Sequence, residues 1–220
     1  MVSWLEAVRL VLIADGPSAP ARGLVSVVEE VVAAVPSGAV LVLERERRPG
    51  LGGPDDLQRL QRLRELRRVT ARHGAPLVVS SRADLATAVG AEGVQLPELG
   101  VAPTDVRRAF GSLAIGRSCH DRQGLIAAQE AGADWALLAP VWTPLSKAAS
   151  SPPLGVEGFE AAIRGLALPI FALGGVRGDR VDGVMAAGAA GVACIGAILH
   201  ADDPGESARA LVRRAEGQPS

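Results

Sequence analysis

The chain has 220 residues, and its 23 Lys and Arg residues against 24 Asp and Glu residues give a formal net charge of −1. This balance excludes a general electrostatic attraction to nucleic acid or to anionic membranes, and no apolar run reaches the roughly 18 residues of a membrane-spanning helix. Hydrophobic residues make up 48% of the chain but aromatic residues only 3%, so the predicted core is built from small aliphatic side chains, which suit parallel strands flanked by helices.

Eight short apolar runs predict strands, and a longer helical pattern follows each of them. The predicted strands cover residues 9–14, 39–44, 77–80, 93–96, 113–116, 135–139, 170–173 and 191–195. The predicted helices lie near residues 23–35, 55–73, 82–89, 103–110, 121–131, 156–164, 178–187 and 204–215.

Glycines mark the turns between these helices and the strands that come next. Gly74, Gly90, Gly132 and Gly188 each follow a helical pattern, where glycine tolerates the left-handed conformation that closes a helix. Eight such units predict a single-domain (β/α)8 barrel over residues 1–220, with an open doubly wound sheet as the alternative.

The two cysteines, Cys119 and Cys194, lie far apart and inside apolar runs, which favours a reducing compartment over a disulfide framework. Residues 1–6 carry neither the basic region nor the cleavage site of a signal peptide, so a cytoplasmic location is expected. The arginine-rich stretch from Arg59 to Arg72 is interpreted as an amphipathic helix with a solvated basic face, rather than as a nucleic-acid contact. The apolar residues of that helix are Leu57, Leu60, Leu63, Leu66 and Val69.

Glycine turns after the last two strands predict an anion site. Gly174 and Gly175 follow strand seven, and Gly196 follows strand eight. Glycine allows backbone N–H groups to approach an anion, and barrel phosphate sites are often built from these two loops. Tight turns without a ligand are the alternative.

Charged and polar side chains follow strands two and six as well. Alternation places Arg45 on the same face as Leu43, with Arg47 next along, so both guanidinium groups point to the barrel opening if Leu43 faces the interior. Ser146 and Lys147, after strand six, combine a hydroxyl with a positive charge that suits a phosphate or carboxylate. Solvated loop charges are the alternative for both segments.

His120 lies at the end of strand five, where an imidazole suits general acid or base catalysis. Its alternative role is to cap a loop. The neighbouring Cys119 is interpreted as an inert thiol rather than as a nucleophile.

Seven short motifs occur along the chain in a characteristic order. Together they resemble the thiamine phosphate synthase/TenI superfamily, most strongly from residue 78 to residue 203. The resemblance implies a (β/α)8 barrel that holds a thiazole phosphate on Gly174, Gly175, Ile195 and Gly196. The motifs are Arg45-Glu46-Arg47, Ser80-Ser81-Arg82-Ala83-Asp84, Gly93-Val94-Gln95-Leu96, Ser118-Cys119-His120, Ser146-Lys147, Pro153-Leu154-Gly155 and Gly174-Gly175-Val176.

Departures from the family pattern concern the pyrimidine and metal sites. Thiamine phosphate synthases carry Gln-Leu-Arg-Glu-Lys after strand two, and Leu43 replaces the glutamine here. After strand three, the synthases carry Asn-Asp-Arg, whose Asp binds Mg²⁺; here Ser80 and Ser81 replace the Asn and the Asp. The second Mg²⁺-binding aspartate of the synthases aligns with Gly100. Serine and glycine are no substitute for anionic ligands of a hard cation. Glu98 leaves a rearranged site open.

The first of three functional hypotheses is a TenI-like thiazole tautomerase. In this hypothesis His120 moves a proton within a thiazole carboxylate phosphate without a metal, as the resemblance to that branch implies. Lys147 reaches the carboxylate, Ser118 orients the ligand, and Arg45 and Arg47 add positive field.

The second hypothesis is a divergent, Mg²⁺-dependent thiamine phosphate synthase, and the third is a non-catalytic regulator that binds a thiazole phosphate. No cofactor is expected except Mg²⁺ in the second case. A small phosphorylated thiazole is the expected partner in all three, neither nucleic acid nor a membrane is expected, and a homodimer is compatible with the sequence.

Overall fold

The computed structural model describes residues 2–46, 54–143 and 152–218. Within these residues, eight parallel strands pair in chain order, and the last pairs with the first to close a barrel. The predicted (β/α)8 barrel is therefore confirmed. The strands are β1 (Leu10–Asp15), β2 (Val40–Arg45), β3 (Leu77–Ser80), β4 (Gly93–Leu96), β5 (Ala114–Cys119), β6 (Trp135–Leu138), β7 (Ile170–Leu173) and β8 (Gly191–Cys194).

Helices lie between successive strands and pack outside the barrel. The predicted helix ends differ by a few residues from the observed ones, and the short helix directly after β8 was not predicted. Within the described residues the helices are α1 (Leu24–Ala34), α2 (Asp56–Arg72), α3 (Ala83–Val89), α4 (Pro103–Ala109), α5 (Arg122–Glu130), α6 (Gly155–Ile163), α7 (Gly178–Ala186), α8 (Gly196–Leu199) and α9 (Pro204–Ala215). None of the described helices is long and apolar enough to cross a membrane.

Side-chain alternation along the strands divides the core into two layers. On β1, Leu10 and Leu12 belong to the larger apolar cluster between strands and helices, whereas Val11 and Ile13 belong to a smaller cluster inside the barrel. The glycine turns form as predicted, and Gly90 adopts a left-handed φ of 67° at the end of α3. Similar positive φ angles occur at Gly74, Gly132 and Gly188.

The amino-terminal end of the barrel is closed by a short 3-10 helix, Ser3–Ala7. Its Leu5 is buried in the inner cluster, and the Trp4 ring meets the buried Trp135 ring edge-on, with centroids 5.9 Å apart. Glycines provide the space for Trp135, since a Cβ on Gly116 would lie 2.3 Å from its Cε2 atom. The interior is therefore packed at its amino-terminal end, and the carboxyl ends of the strands lie opposite this packing.

Helix α2 differs in part from its predicted form, an amphipathic helix with a solvated basic face. Arg59 is buried and donates two hydrogen bonds to the fully buried Glu44, at 2.9 and 2.7 Å. Arg62 pairs with the buried Glu46 carboxylate. Leu57, expected on the apolar face, is 62% exposed. The first half of α2 is therefore held against the end of β2 by two ion pairs, because Glu44 and Glu46 project outward from that strand end toward the helix.

Candidate functional site

Polar side chains face inward at the carboxyl ends of the first five strands. We call this end of the barrel the mouth. Alternation with inner-cluster residues places these side chains, and strand register brings neighbours together: Asp15 aligns with Arg45, and Ser80 aligns with Gln95. The inward residues are Asp15, Arg45, Ser80, Gln95 and Ser118.

Arg45 points to the mouth on the same side as Leu43, as the alternation predicts. Its Nη1 donates to Asp15 Oδ1 at 2.8 Å, and the Ser18 hydroxyl donates to Asp15 Oδ2 at 2.5 Å. The Asp15 side chain is only 6% exposed, whereas that of Arg45 is 51% exposed. One carboxylate thus holds the guanidinium in place and leaves part of it open to a ligand.

Asp15 was missed by the sequence reasoning, which treated β1 only as an apolar run. The signal was available, because Asp15 continues the inward alternation of Val11 and Ile13. Because Asp15 pairs with Arg45, the positive field at this point is weaker than that of two unpaired guanidinium groups.

The His120 ring lies at the rim, held between β5 and β6. Its Nδ1 is 2.5 Å from the carbonyl oxygen of Ala139. A carbonyl only accepts, so Nδ1 carries the proton of the neutral ring and Nε2 keeps its lone pair. Nε2 lies 3.8 Å from Glu98 Oε2, and the backbone N–H of His120 donates to the other oxygen of Glu98 at 3.3 Å. This arrangement suits a group that accepts a proton at Nε2 and returns it.

The two thiols lack the environment of a nucleophile. Burial, reinforced by the negative charge of Glu98, raises the pKa of the Cys119 thiol to about 12. Burial alone raises the pKa of Cys194 to about 12. A thiol must ionise before it can attack as a nucleophile. The raised pKa of Cys119 therefore agrees with the interpretation of this residue as an inert thiol.

The turn after β7 has the form that an anion site needs. Gly174 and Gly175 both adopt positive φ angles, 98° and 63°. The Gly174 carbonyl accepts from the backbone N–H of Trp142 at 3.0 Å. The Gly175 carbonyl accepts from Arg180 Nη1 at 2.5 Å, and that guanidinium lies over the Trp142 ring. Both carbonyls are thus turned away into protein contacts.

The amides of this turn, Gly174 N–H and Gly175 N–H, donate to no described residue. Arg180, which the sequence reasoning also missed, brings a partly buried cation next to them. Its position on α7, five residues after Gly175, was the available signal. The two amides can donate to a phosphate, and the Arg180 guanidinium adds positive charge to the same turn.

The turn after β8 lies beside the previous one in the barrel. Ile195 adopts φ −116° and ψ −81° and precedes α8, whose first residues are Gly196 and Ala197. The carbonyl of Ile195 accepts from the N–H groups of Ile198 and Leu199, at 3.2 and 2.9 Å. Among the described residues, the N–H groups of Gly196 and Ala197 have no acceptor. Both N–H groups are therefore available to a ligand, and a phosphate site at this turn stays a prediction.

Three predicted ligand residues, Arg47, Ser146 and Lys147, lie outside the described residues. Ser118 is placed at the mouth, where its Oγ accepts from Gln95 Nε2 at 3.2 Å. Gln95 is a third residue to which the sequence analysis assigns no role, although it lies within the Gly93-Val94-Gln95-Leu96 motif.

The residues at the family's metal positions do not fit Mg²⁺. Ser80 and Ser81 contribute hydroxyls and no carboxylate, and Ser81 has a positive φ of 64°. Over residues 2–46, 54–143 and 152–218, no group of three or more His, Cys, Asp or Glu side chains is arranged to hold a metal ion. The nearby Arg82 turns outward to Asp56 and Asp84, and hydrogen bonds from Arg82 lower the pKa of both carboxyls. These carboxylates are therefore occupied away from the mouth.

Comparisons with known proteins agree on one family. The family model of thiamine monophosphate synthase matches residues 10–198. A putative thiamine-phosphate synthase of Geobacter sulfurreducens is 41% identical over 207 residues, which cover 92% of each chain. The thiamine-phosphate synthase of Chloroflexus aurantiacus is 32% identical over 211 residues, 96% of this chain and 92% of that one. The solved structure of thiamine phosphate pyrophosphorylase from Pyrococcus furiosus superimposes with a TM-score of 0.83 over 97% of this chain and 98% of that chain. Its sequence identity is 24%, so this likeness supports the fold.

Proposed function

Because the chain belongs to the thiamine monophosphate synthase family, we propose that it is an enzyme of thiamine biosynthesis whose barrel mouth binds a thiazole phosphate. The observation that carries this proposal is the pair of glycine turns after β7 and β8. Their amides at Gly174, Gly175 and Gly196 are turned away from described acceptors, and Arg180 supplies a positive charge beside them. Such a cradle suits the phosphate of a small ligand.

The first candidate reaction is thiamine phosphate synthesis, in which a pyrimidine pyrophosphate is joined to the thiazole phosphate and pyrophosphate leaves. The names of the relatives favour this reaction over the tautomerase that stands first in the sequence analysis. The leaving group develops negative charge that must be stabilised. In this chain, Arg45 and the hydroxyls of Ser80 and Ser118 are placed at the mouth to do so.

The second candidate is the metal-independent thiazole tautomerase, and one observation favours it: hydroxyls stand where the family's metal site needs carboxylates. The geometry of His120 suits this reaction, since Nδ1 is fixed on Ala139 and Nε2 remains as the proton acceptor. After accepting a proton, Nε2 would face Glu98, whose carboxylate at 3.8 Å stabilises the imidazolium. The proton then returns to a second position of the same ligand, so the reaction balances without a co-reactant.

One pair of assays separates these reactions. The first follows thiamine phosphate formation from the pyrimidine pyrophosphate and thiazole phosphate, with Mg²⁺ or with EDTA. The second follows aromatisation of the thiazole carboxylate phosphate tautomer in EDTA. Each is run on the native protein, on His120→Asn and on His73→Asn. His73 is a control because it ends α2 just before β3 begins, at the amino-terminal end of the barrel opposite the mouth.

Synthase activity in the first assay would establish the first candidate. Turnover only in the second assay, lowered about 10²- to 10⁴-fold in His120→Asn but unchanged in His73→Asn, would establish the tautomerase. Binding of thiazole phosphate without turnover in either assay would leave a ligand-binding regulator. Failure to bind thiazole phosphate at all would refute the proposal.

A further inference from the structure

A buried carboxamide lies directly beneath the mouth. Gln95 has a polar side chain but is only 4% exposed. Its side chain points inward, because those of its neighbours Val94 and Leu96 pack on the outer side of the strand, against the helices. Its Nε2 donates to Ser118 Oγ at 3.2 Å. Its Oε1 is buried and has no hydrogen-bond partner among the described residues.

A second unpaired polar atom, Trp135 Nε1, lies in the same part of the barrel. Both side chains press on Gly116: a Cβ there would lie 2.1 Å from Gln95 Oε1 and 2.3 Å from Trp135 Cε2. The indole is fixed from below by the edge-on contact with Trp4. The side chains that carry a buried acceptor and a buried donor thus both lie against Gly116.

The indole side chain favours one orientation of the amide, although Trp135 Nε1 and Gln95 Oε1 make no hydrogen bond with each other. An indole N–H only donates, so an amide oxygen beside it is favourable and an amide NH₂ beside it is not. With its oxygen toward Trp135, Gln95 directs its NH₂ upward to Ser118. The Ser118 oxygen then accepts, and the hydroxyl proton is left to point into the mouth.

We propose that Gln95 is a positioning residue that sets the Ser118 hydroxyl as a hydrogen-bond donor to an oxyanion of the ligand. This inference rests on the proposed function, and it deepens it by specifying the ligand group that meets Ser118. A carboxylate and a pyrophosphate both present oxygens that only accept, so either matches the hydroxyl. A ligand that presents an N–H group at this point would meet a donor and bind poorly.

A double-mutant cycle tests whether Gln95 acts through Ser118. Isothermal titration measures binding of inorganic pyrophosphate and, separately, of thiazole carboxylate phosphate, which distinguishes the two sources of the oxyanion. Ser118→Ala is expected to weaken binding of the matching probe about 10-fold or more, since the lost bond is to a charged group. Gln95→Met is expected to cause nearly the same loss, and the double variant no more than Ser118→Ala alone.

Arg180 provides the control. It lies beside the turn after β7 and, among the described residues, shares no hydrogen-bond partner with Gln95, so the effects of Arg180→Met and Gln95→Met on binding of thiazole carboxylate phosphate are expected to multiply. Gln95→His and Gln95→Glu provide a second test if Gln95→Met does not fold. Histidine can still donate to Ser118 and should retain binding, whereas a carboxylate can only accept and should lose it.

The inference would be overturned if the affinity losses of Gln95→Met and Ser118→Ala multiplied in the double variant. It would also be overturned if Gln95→Met bound the probe as tightly as the native protein. Neither result would affect the proposed function. Equal binding by Gln95→His and Gln95→Glu would overturn the inference as well. If the native protein binds thiazole phosphate but neither probe, the inference is overturned and the proposed function stands. If it does not bind thiazole phosphate either, both fail.

Discussion

Replacing Arg59 by Met is expected to destabilise the fold strongly, because it leaves the Glu44 carboxylate buried without a partner. Glu44 is 0% exposed and receives two hydrogen bonds from Arg59, at 2.9 and 2.7 Å. Removing one member of a buried pair costs about 3–5 kcal/mol in the free energy of unfolding. For a chain of this size, about 2–4 °C of Tm per kcal/mol predicts a fall in Tm of about 6–20 °C.

Calorimetric or circular-dichroism melting at neutral pH measures the change, with two comparisons. Arg164→Met removes an exposed i,i+4 pair with Glu160 and is expected to change stability by less than about 0.5 kcal/mol. The double variant Glu44→Leu/Arg59→Met removes both charges and should recover most of the loss. A Tm of Arg59→Met within about 2 °C of native, or a double variant less stable than Arg59→Met, would refute the reasoning.

Three further predictions concern the phosphate cradle and the thiols. Gly175→Ala should lower the free energy of unfolding by about 1–2 kcal/mol in calorimetric melting, because φ is 63° and the new Cβ would lie 2.8 Å from the Thr143 carbonyl oxygen. The same variant should bind thiazole phosphate more weakly in titration. Arg180→Met should weaken that binding about 10-fold with little change in Tm, and unchanged affinity would place the phosphate elsewhere. Cys119 and Cys194 have pKa values of about 12 against an ordinary 9.0, so burial favours the protonated thiols in the folded state. Their stabilising contribution is complete below pH 9.0 and is lost toward pH 12, and a thiol reagent should modify neither residue at pH 8 unless the protein is unfolded.

Much of the fold could be predicted because each strand and each turn carries a local signal. Alternation on β2 placed Leu43 and Arg45 on the same face without any knowledge of the other strands, but left open whether that face points inward. The glycines that end helices, such as Gly90, mark left-handed backbone that other residues adopt at a cost. The paired glycines after β7 gave the predicted turn for the same reason.

The site residues that were missed depend on contacts between distant segments. Alternation on β1 places Asp15 inward, but its partner is identified only when strand register sets Arg45, thirty residues later, against it. The burial of Gln95 depends on Gly116 and Trp135, which leave space for an amide that the local sequence does not explain. The 3-10 helix Ser3–Ala7, which brings Trp4 against Trp135 at the amino-terminal end of the barrel, was also missed. A 3-10 helix of five residues is too short to show an amphipathic period in the sequence.

Strand β2 connects the fold and the site, because consecutive residues at its end carry charges to opposite sides. Glu44 projects outward to Arg59 of α2, and Arg59 also donates to the carbonyl of Ser80 at 2.8 Å. Arg45 projects inward to Asp15. The outward network therefore fixes the backbone at the ends of β2 and β3, the same backbone that presents Arg45 and Ser80 to the mouth. A charge pair outside the barrel thus sets the position of ligand-facing groups inside it, so Arg59→Met should weaken oxyanion binding at temperatures well below its Tm, an effect that global unfolding does not produce.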